Sequence, residues 1–501
     1  MGWIGMSGSV ASRRSIDFEP LLAVQLETDI SPDVPLCVDL DGTLIRSDML
    51  IEGMLASAFS PALYRALLGL RTGNRAAFKS AVATASPFDP ALLPYHEPLL
   101  AYLREQKARG RRLVLVTAAD ASIARRVAAY LGLFDEVLAS DGVSNLKGLR
   151  KRDALVERFG QGGFSYAGDS RADLEVWQAA RTGILVNAPK GVAGAARRLT
   201  RIETEFDDGR PWLGLLRAMR PHQWAKNLLV FVPPLVSGGA LDGWTLAVAL
   251  MAFVAFSLTA SGIYLLNDLA DLAADRSHSR KRRRPFASGA LPLTLGLAAA
   301  GVAVGSGLAL AWAADILGLL MLYALLSVSY SVKLKELPLV DVYMLAALYS
   351  IRMVAGGEAT GYRVSLWLFA FSSFLFLSLA LVKRVGELIA VPPGRRGQLA
   401  RRGYQVSDMI ILQMFGTSSA VAAGLVLALF IQNRVHDIPY GSSGLLWGLV
   451  PLVMFWQCRI WLATARGYMH DDPIVYAAKD WVSWLAAALA VGLMVATRAF
   501  G

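Results

Sequence analysis

The chain has 501 residues, enough for two or three domains. Hydrophobic residues make up 55% of it and its mean hydropathy is +0.44, which excludes a wholly soluble protein. The net charge of +11 is explained first by the basic loops that set membrane topology and contact anionic lipid, and second by phosphorylated substrates. It does not require nucleic acid as a partner. Cys37 and Cys458 lie in different halves without a paired motif, so neither a disulfide framework nor a zinc site is expected.

The N-terminal extension, residues 1–32, shows no targeting signal. It includes Arg13, Arg14 and Asp17 and lacks an uninterrupted apolar core, so we expect no cleaved signal peptide. Met6 occupies the position where a myristoylation motif requires Ser or Thr, so this lipid anchor is not indicated either.

Residues 33–201 have the composition of a soluble domain, and their predicted strands lead into polar residues. The polar residues that follow three short apolar runs are Asp39 and Asp41, then Thr117, and then Asp169 and Asp173. Groups at the carboxyl ends of neighbouring strands in an open α/β sheet converge on one crevice. Any single Asp-Gly or Gly-Asp pair is also explained by turn chemistry, but this ordered set is not.

Two acids one residue apart suit phosphoryl transfer. One aspartate attacks phosphorus, while the other protonates the leaving oxygen and then activates water. The motifs resemble, in order, those of the haloacid dehalogenase superfamily of aspartyl phosphatases, which implies a Rossmann-like α/β fold. The resemblance makes Asp39 the nucleophile and Asp41 the acid/base, and it assigns phosphate binding to Thr117 and to Lys147 or Lys151. The Mg²⁺ ligands that it implies are Asp39, Asp169 and Asp173.

A segment at about 49–103 lies between the first two motifs, where that family places a cap. Caps exclude water and select substrate. Its apolar residues include Met54, Leu55, Phe59, Tyr64, Leu67 and Leu68. A small helical core explains them most simply, and a surface for the membrane or a lipid-linked substrate is the alternative.

A linker rich in Asp, Gly and Pro at 202–214 precedes a membrane domain at 215–501. Apolar stretches of bilayer length predict an all-α polytopic bundle of about nine transmembrane helices. They lie near 224–241, 244–266, 291–312, 316–332, 337–355, 365–381, 409–432, 444–462 and 481–497. Alternate loops are basic, which predicts a multi-pass protein of the bacterial inner membrane with its N-terminal domain in the cytoplasm.

Asn267, Asp271 and Asp275 recur at every fourth residue where the second predicted helix ends. On a helix they share one face and span about 12 Å. Hard oxygens beside the basic stretch 276–284 suit Mg²⁺ and a diphosphate. A topogenic basic loop with solvated acids would explain the arginines but not the spacing.

This row resembles the first acidic motif of the UbiA superfamily of intramembrane prenyltransferases, a resemblance that covers residues 212–501. Members that prenylate an aromatic ring carry a second aspartate-rich motif after the sixth helix, where this chain has Lys383, Arg384 and Glu387. Adjacent cations suit a monophosphate held by a lysine and a forked arginine. We therefore expect a site for one diphosphate and one separate phosphate.

Four further stretches, at residues 220–227, 330–335, 341–357 and 471–475, resemble the decaprenyl-phosphate phosphoribosyltransferase branch. The diphosphate substrate of that branch is phosphoribosyl pyrophosphate, and its acceptor is a lipid phosphate. The substrate-binding residues expected there are Arg220, Lys226, Asn227, Asp268, Arg284, Tyr330, Lys333, Lys335, Asp341, Arg352, Lys383, Arg384 and Glu387. Asp471 and Asp472 lie in the last cytoplasmic loop. Asp341 and Arg352 are also candidates for a structural ion pair.

The predicted function is transfer of 5-phosphoribosyl to a polyprenyl phosphate, with Mg²⁺ on Asn267, Asp271 and Asp275. The fused phosphatase domain would then remove the 5-phosphate, because tethering raises its effective concentration. The alternative is a UbiA-type transfer of an isoprenoid to an aromatic acceptor, with the phosphatase-like domain in a separate or regulatory role. The length of the lipid chain and the oligomeric state stay open.

Overall fold

The computed structural model describes residues 33–57, 61, 75–85, 88–141, 145–209, 211–237, 242–390, 402–434, 443–469 and 472–499. The chain divides into two compact units, Met1–Gly209 and Arg210–Gly501. In the described ranges, all strands belong to the first unit and the second contains only helices and loops.

The N-terminal unit is built on a six-stranded parallel sheet with the order β3-β2-β1-β4-β5-β6. The strands are β1 Leu36–Val38, β2 Leu113–Asp120, β3 Glu136–Ser140, β4 Ser165–Gly168, β5 Thr182–Val186 and β6 Arg201–Phe206. The helices are α1 Met49–Ala56, α2 Arg75–Ala85, α3 Glu97–Ala108, α4 Ala121–Leu131, α5 Leu149–Phe159, α6 Leu174–Ala179 and α7 Lys190–Leu199. This confirms the predicted α/β fold. The strand order reverses at β1, so the crevice after β1, β2 and β4 is the expected ligand site.

Apolar side chains cover both faces of the sheet, which explains why its strands appear as continuous apolar runs in the sequence. Leu36 and Val38 of β1 belong to the core on one face, and Cys37 between them belongs to the core on the other. The alternation follows from the two-residue period of a strand. The sheet therefore holds the ends of its central strands rigidly.

Helices α1 and α2 lie between β1 and β2, where the cap is predicted. They pack on each other through a small cluster of Leu50, Met54, Phe78 and Val82. Of the two alternatives for the cap, these four residues therefore form the small helical core. The predicted cap residues Phe59, Tyr64, Leu67 and Leu68 lie outside the described residues.

The sheet extends into the stretch predicted as a linker, since residues 201–206 form β6 and pair with β5. Its Glu203 side chain is buried and accepts hydrogen bonds from Arg111 at 3.0 and 3.1 Å. A buried acid is tolerated when a partner compensates its charge. The partner lies 92 positions earlier in the chain, so the local sequence gave no sign of this strand.

The second unit consists of twelve α-helices in its described ranges. They are α8 Pro211–Met219, α9 Val232–Val236, α10 Gly243–Ala270, α11 Leu272–Ser277, α12 Leu293–Ala313, α13 Leu317–Val332, α14 Val340–Thr360, α15 Leu366–Ile389, α16 Met409–Arg434, α17 Leu449–Ala465, α18 Pro473–Lys479 and α19 Trp481–Ala499. A 3-10 helix at Pro221–Phe231 lies between α8 and α9.

Six helices among the described residues are long and apolar enough to cross a membrane, namely α10, α12, α14, α15, α16 and α17. Helices α18 and α19 make a seventh span if this pair, bent by 86°, is counted as one. The predicted count of nine is not confirmed. The first predicted span, 224–241, differs most, because its described residues, which end at 237, form the 3-10 helix and then the short α9. Pro233 and Pro234 in α9 lack the N–H that a continuing helix requires.

The helical unit buries several charged side chains within an apolar core and exposes large apolar side chains, as expected of a protein surrounded by lipid. Asp341, Arg352 and Arg384 are buried, whereas Trp244 and Leu366 are exposed. Charged side chains at membrane depth are stable only when they face the bundle interior and find partners. The chain is therefore a multi-pass membrane protein.

Candidate active sites

Three carboxylates meet at the carboxyl edge of the sheet. Asp39 follows β1, Asp169 and Asp173 follow β4, and one oxygen of each lies within 4.8 Å of the others. In the part of the chain that the structure describes, no other trio of Asp, Glu, His or Cys side chains has this geometry. Gly42, with φ +77°, turns the chain beside them, and a Cβ there would lie 2.4 Å from an Asp169 oxygen. This oxygen-only donor set fits Mg²⁺.

Lys151 at the start of α5 joins these acids. Its Nζ lies 3.0 Å from Asp39 Oδ2 and 3.6 Å from Asp173 Oδ1, and it donates to the Tyr166 hydroxyl at 2.8 Å. Burial lowers the pKa of Lys151, but the carboxylates of Asp39 and Asp173 outweigh burial and raise it. Lys147 is exposed. Of the two lysines left open by the sequence, the structure brings Lys151 to the acids.

Asp39 and Asp41 differ in charge at neutral pH. Burial raises the pKa of Asp39 to about 6, while Lys151 opposes that rise. Burial raises the pKa of Asp41 to about 8, and the nearby Asp48 adds to the shift. Asp41 also accepts a hydrogen bond from the Met49 amide at 2.9 Å. An ionised carboxylate beside a protonated carboxylic acid is the pair that a nucleophile and a general acid require.

Asp41 should make the N-terminal unit less stable as the pH rises. Its pKa is 3.8 when unperturbed and about 8 in the fold, so its contribution is fully present below pH 4 and is lost as the pH rises through 8. We expect Asp41→Asn to raise the free energy of unfolding at pH 8 by several kcal/mol and to change it little at pH 4. Calorimetry of the solubilised chain in EDTA measures this, with the exposed Asp153→Asn as control. A loss of stability at pH 8 would contradict it.

Thr117 lies inside β2, which continues to Asp120. The Thr117 side chain is buried, and its hydroxyl accepts from the Ala119 amide at 2.9 Å. Lys79 of α2 donates to the neighbouring Ala118 carbonyl at 2.8 Å and to Asn145 Oδ1 at 3.1 Å. Lys79 is not among the site residues predicted from the sequence. The available signal was a single lysine inside an alanine-rich cap helix.

In the helical unit, the predicted acidic row crosses a break between two helices. Helix α10 ends at Ala270, α11 begins at Leu272, and Asp271 between them has φ −90° and ψ 8°. The Asp271 amide still donates to the Asn267 carbonyl at 2.9 Å, and the Asp275 amide donates to the Asp271 carbonyl at 2.8 Å. The hydrogen bonds between residues four positions apart therefore continue across the break.

Asp268, rather than Asn267, is the side chain that joins Asp275. Arg284 Nη1 lies 3.1 Å from Asp268 Oδ1 and 2.7 Å from Asp275 Oδ2, and Arg220 Nη2 donates to Asp268 at 2.6 Å. Asn267 instead donates to Ser331 at 2.9 Å. Because two carboxylate oxygens converge on one cationic nitrogen, they also fit a hard divalent cation.

A second charged cluster surrounds Asp472, next to the undescribed Asp471. Lys226 of the 3-10 helix and Lys383 of α15 lie 2.8 and 3.2 Å from Asp472 Oδ2. The Tyr349 hydroxyl donates to the same carboxylate at 3.0 Å. Two lysines against one acid leave a net positive charge, which suits an anionic ligand.

Arg384 points away from Lys383, because successive helical residues are rotated by about 100°. It is fully buried, its Nη2 lies 2.7 Å from Asp341 Oδ2, and its Nη1 pairs with Glu387. Tyr404 also donates to Asp341. We predicted that Lys383 and Arg384 together bind the acceptor, whereas the structure gives Arg384 a buried ion-pair network.

Arg384→Met should destabilise the helical unit. It would leave the buried Asp341 without its closest cation, and the loss of one partner from a buried pair costs about 3–5 kcal/mol. We expect a lower thermal unfolding midpoint in detergent and a lower yield of folded protein. Arg363→Met, at an exposed loop position, serves as the control. An unchanged midpoint with weaker acceptor binding would restore Arg384 to the substrate site.

Asp341 and Arg352 do not pair with each other, so the structural pairing considered above is wrong. Arg352 Nε donates to Asn227 Oδ1 at 2.7 Å and its Nη2 donates to the Tyr323 hydroxyl at 3.0 Å. The Tyr330 hydroxyl accepts from Arg402 at 2.8 Å and from Arg384 at 3.4 Å. The exposed Lys333 pairs with Glu336 at 2.8 Å, and Lys335 is half-buried in a 3-10 turn after α13.

Known proteins resemble both units. The model of the UbiA prenyltransferase family matches residues 230–473, and that of haloacid dehalogenase-like hydrolases matches residues 36–178. An uncharacterized protein of Sinorhizobium fredii is 38% identical over 92% of this chain and 90% of its own length. It therefore shares both units.

Two further relatives match about the length of the helical unit. Nodulation protein NoeC of Azorhizobium caulinodans is 36% identical over 57% of this chain and 93% of its own. Decaprenyl-phosphate phosphoribosyltransferase of Mycobacterium tuberculosis is 33% identical over 58% of this chain and 95% of its own. The chain belongs to the UbiA prenyltransferase family and carries an N-terminal unit of the haloacid dehalogenase-like hydrolases.

Proposed function

We propose that the helical unit transfers 5-phosphoribosyl from phosphoribosyl pyrophosphate to a polyprenyl phosphate. The observation that carries this proposal is the pair Lys226 and Lys383 around Asp472. Aromatic prenyltransferases of this superfamily have acids in the segment that the sequence predicted to follow the sixth helix. In the structure this segment lies inside α15, and its Lys383 favours a monophosphate acceptor over a second metal-bound diphosphate. The name of the mycobacterial relative supports the same reaction.

The reaction is a substitution at the anomeric carbon of ribose. An oxygen of the lipid phosphate forms a bond to that carbon, and the bond to pyrophosphate breaks with its electron pair leaving on pyrophosphate. The lipid phosphate is already anionic, so positioning and charge stabilisation replace a strong base. The residues that would hold Mg²⁺ are Asp275 and Asp268, whose oxygens converge at Arg284, with Asn267 and Asp271 of the predicted row, and the ion would supply positive charge to the leaving group.

The chain's own cations divide between the two substrates. Arg220 and Arg284, both bonded to Asp268, lie where they add positive charge beside the departing pyrophosphate. Lys226 and Lys383 bind the acceptor phosphate, which replaces the Asp472 carboxylate as their anionic partner. The polyprenyl tail lies against the apolar surface of the helices, in the bilayer of a bacterial inner membrane.

The N-terminal unit, in the cytoplasm, removes the 5-phosphate from the lipid-linked product. An Asp39 oxygen bonds to phosphorus while the phosphorus–ribose oxygen bond breaks, and Asp41 gives its proton to that oxygen. Asp41 then takes a proton from the water that hydrolyses the acyl phosphate. Lys151 and Thr117 hold the phosphate, and Asp39, Asp169 and Asp173 would hold a Mg²⁺ ion that would shield its charge.

Double labelling tests both reactions in one assay. The purified full chain is incubated with Mg²⁺, decaprenyl phosphate and phosphoribosyl pyrophosphate that carries one label in the ribose carbons and another in the 5-phosphate. We expect a lipid that carries the carbon label and has lost the phosphate label. The absence of labelled lipid across a panel of polyprenyl phosphates, with isoprenoid transfer to a phenolic acceptor instead, would overturn the proposal in favour of aromatic prenylation.

A further inference from the structure

Lys79 reaches from the cap to the phosphatase site. We infer that it binds a second anionic group of the substrate, so that the N-terminal unit selects a phosphomonoester that also carries a phosphodiester or another phosphate. The inference rests on the proposed phosphatase function and names its substrate class. Lys79 thereby acts as a specificity-determining residue.

The position of Lys79 is defined by its two hydrogen bonds. Its Nζ donates to the Ala118 carbonyl at 2.8 Å, directly after Thr117, and to Asn145 Oδ1 at 3.1 Å. Ala118 belongs to β2, whose neighbour β1 leads to Asp39. The cap ammonium therefore lies at the same edge of the sheet as the acids.

The charge environments of Lys79 and Lys151 differ. Lys151 lies 3.0 and 3.6 Å from the carboxylates of Asp39 and Asp173, which balance its charge. Both partners of Lys79 are neutral oxygens, and no carboxylate in the described ranges is recorded within the 4.0 Å ion-pair distance of its Nζ. Asp41 and Asp48 act on this half-buried ammonium only from beyond ion-pair distance, so a ligand that brings an anion into direct contact with it is favoured. An ammonium has three donors, so one is available beside these two bonds.

Charges of both signs act on Lys79, and the lysines among them are Lys147 and Lys151. Burial lowers the pKa of its ammonium, Asp41 opposes the shift, and repulsion from the exposed Lys147 adds to it. The rim of the crevice thus presents two lysines in addition to Lys151. A single phosphomonoester, held at Lys151 and Thr117, does not use them.

A ribose with phosphate at both ends fits this arrangement. The phosphomonoester at one end would lie against Asp39, and the anionic diester at the other end would extend toward the cap and reach Lys79. Charge-assisted hydrogen bonds favour such a substrate over one with a neutral group in place of the diester. The product of the proposed transferase reaction belongs to this class.

Two soluble probes measure the contribution of the second anion separately from that of the rest of the substrate. One is ribose 5-phosphate with methyl phosphate esterified at the anomeric oxygen, and the other is its methyl glycoside, which lacks that anion. We expect Lys79→Met in the full chain to reduce kcat/KM for the diester about 10- to 100-fold more than for the glycoside, mainly through KM. Lys107→Met serves as the matched control, because Lys107 lies in α3 and pairs with Asp135, just before β3 and so at the opposite edge of the sheet.

The outcomes distinguish this inference from the proposed function. An equal fall for both probes would mean that Lys79 only closes the cap, and no fall for either would mean that it does not contact substrate; both overturn the inference. Hydrolysis of neither probe by the wild type would instead overturn the phosphatase function. Lys79→Arg should recover most of the preference for the diester, because it retains the charge.

Discussion

Asp39→Asn should leave the lipid product with its 5-phosphate. The carboxylate oxygen that would attack phosphorus becomes an amide, so we expect dephosphorylation to fall by a factor of at least about 10³. Transfer of ribose to the lipid should continue, because Asp39 belongs to the N-terminal unit and the acids of the transferase belong to the other. The ratio of phosphate label to carbon label in the extracted lipid measures the effect.

Asp153→Asn is a matched control for this variant. It makes the same chemical change at an exposed position on α5, the helix that supplies Lys151. Its lipid should lose the phosphate label as the wild type does. Loss of the phosphate label with Asp39→Asn would refute the role of Asp39, whereas loss of the carbon label would point to damage beyond its own unit.

Asp275→Asn should disable the transferase. Asp275 and Asp268 both accept hydrogen bonds from Arg284 in the structure. Removal of one negative charge weakens the pair of carboxylates that would hold the Mg²⁺ ion bound to the diphosphate. We expect the initial rate of carbon-label incorporation to fall about 100-fold or more at saturating phosphoribosyl pyrophosphate. Dephosphorylation of a soluble phosphomonoester by the same preparation should stay unchanged, which shows that the N-terminal unit is folded, and an unchanged thermal midpoint in detergent checks the helical unit.

Asp315→Asn provides the comparison for Asp275. Asp315 is exposed and adopts φ +56°, a conformation in which asparagine is at least as favourable as aspartate. Its rate should equal that of the wild type. If Asp275→Asn retained full activity, and the wild type did so in EDTA, the proposed metal-assisted departure of pyrophosphate would be wrong.

The part of the phosphatase site that follows strand ends was predictable from the sequence. Asp39 and Asp169 come directly after apolar runs, and parallel strands bring such ends to one edge. The choice between Lys147 and Lys151 was not predictable, because both lie within two residues of the start of α5, one before it and one inside it. A role for Lys79 could not be assigned from the sequence, since its partners Ala118 and Asn145 lie 39 and 66 residues further along the chain.

In the helical unit, composition indicated membrane helices but not their continuity or their partners. Apolar length sets the partition of a segment into lipid, whereas Pro233 and Pro234 and the break at Asp271 depend on local backbone geometry. The sequence placed Lys383 and Arg384 together. Rotation along α15 separated them, so Lys383 meets Asp472 and Arg384 meets Asp341.

The sequence by itself determined the two units, the α/β fold, the membrane character and the candidate acids in each unit, because strand-end motifs, apolar length and four-residue spacing are local properties. Only the tertiary structure decided which cation meets which acid. Lys151 at Asp39, Arg284 between Asp268 and Asp275, and Arg352 at Asn227 are contacts whose energies depend on distance and burial. Those quantities arise when distant segments pack, and no short stretch of sequence contains them.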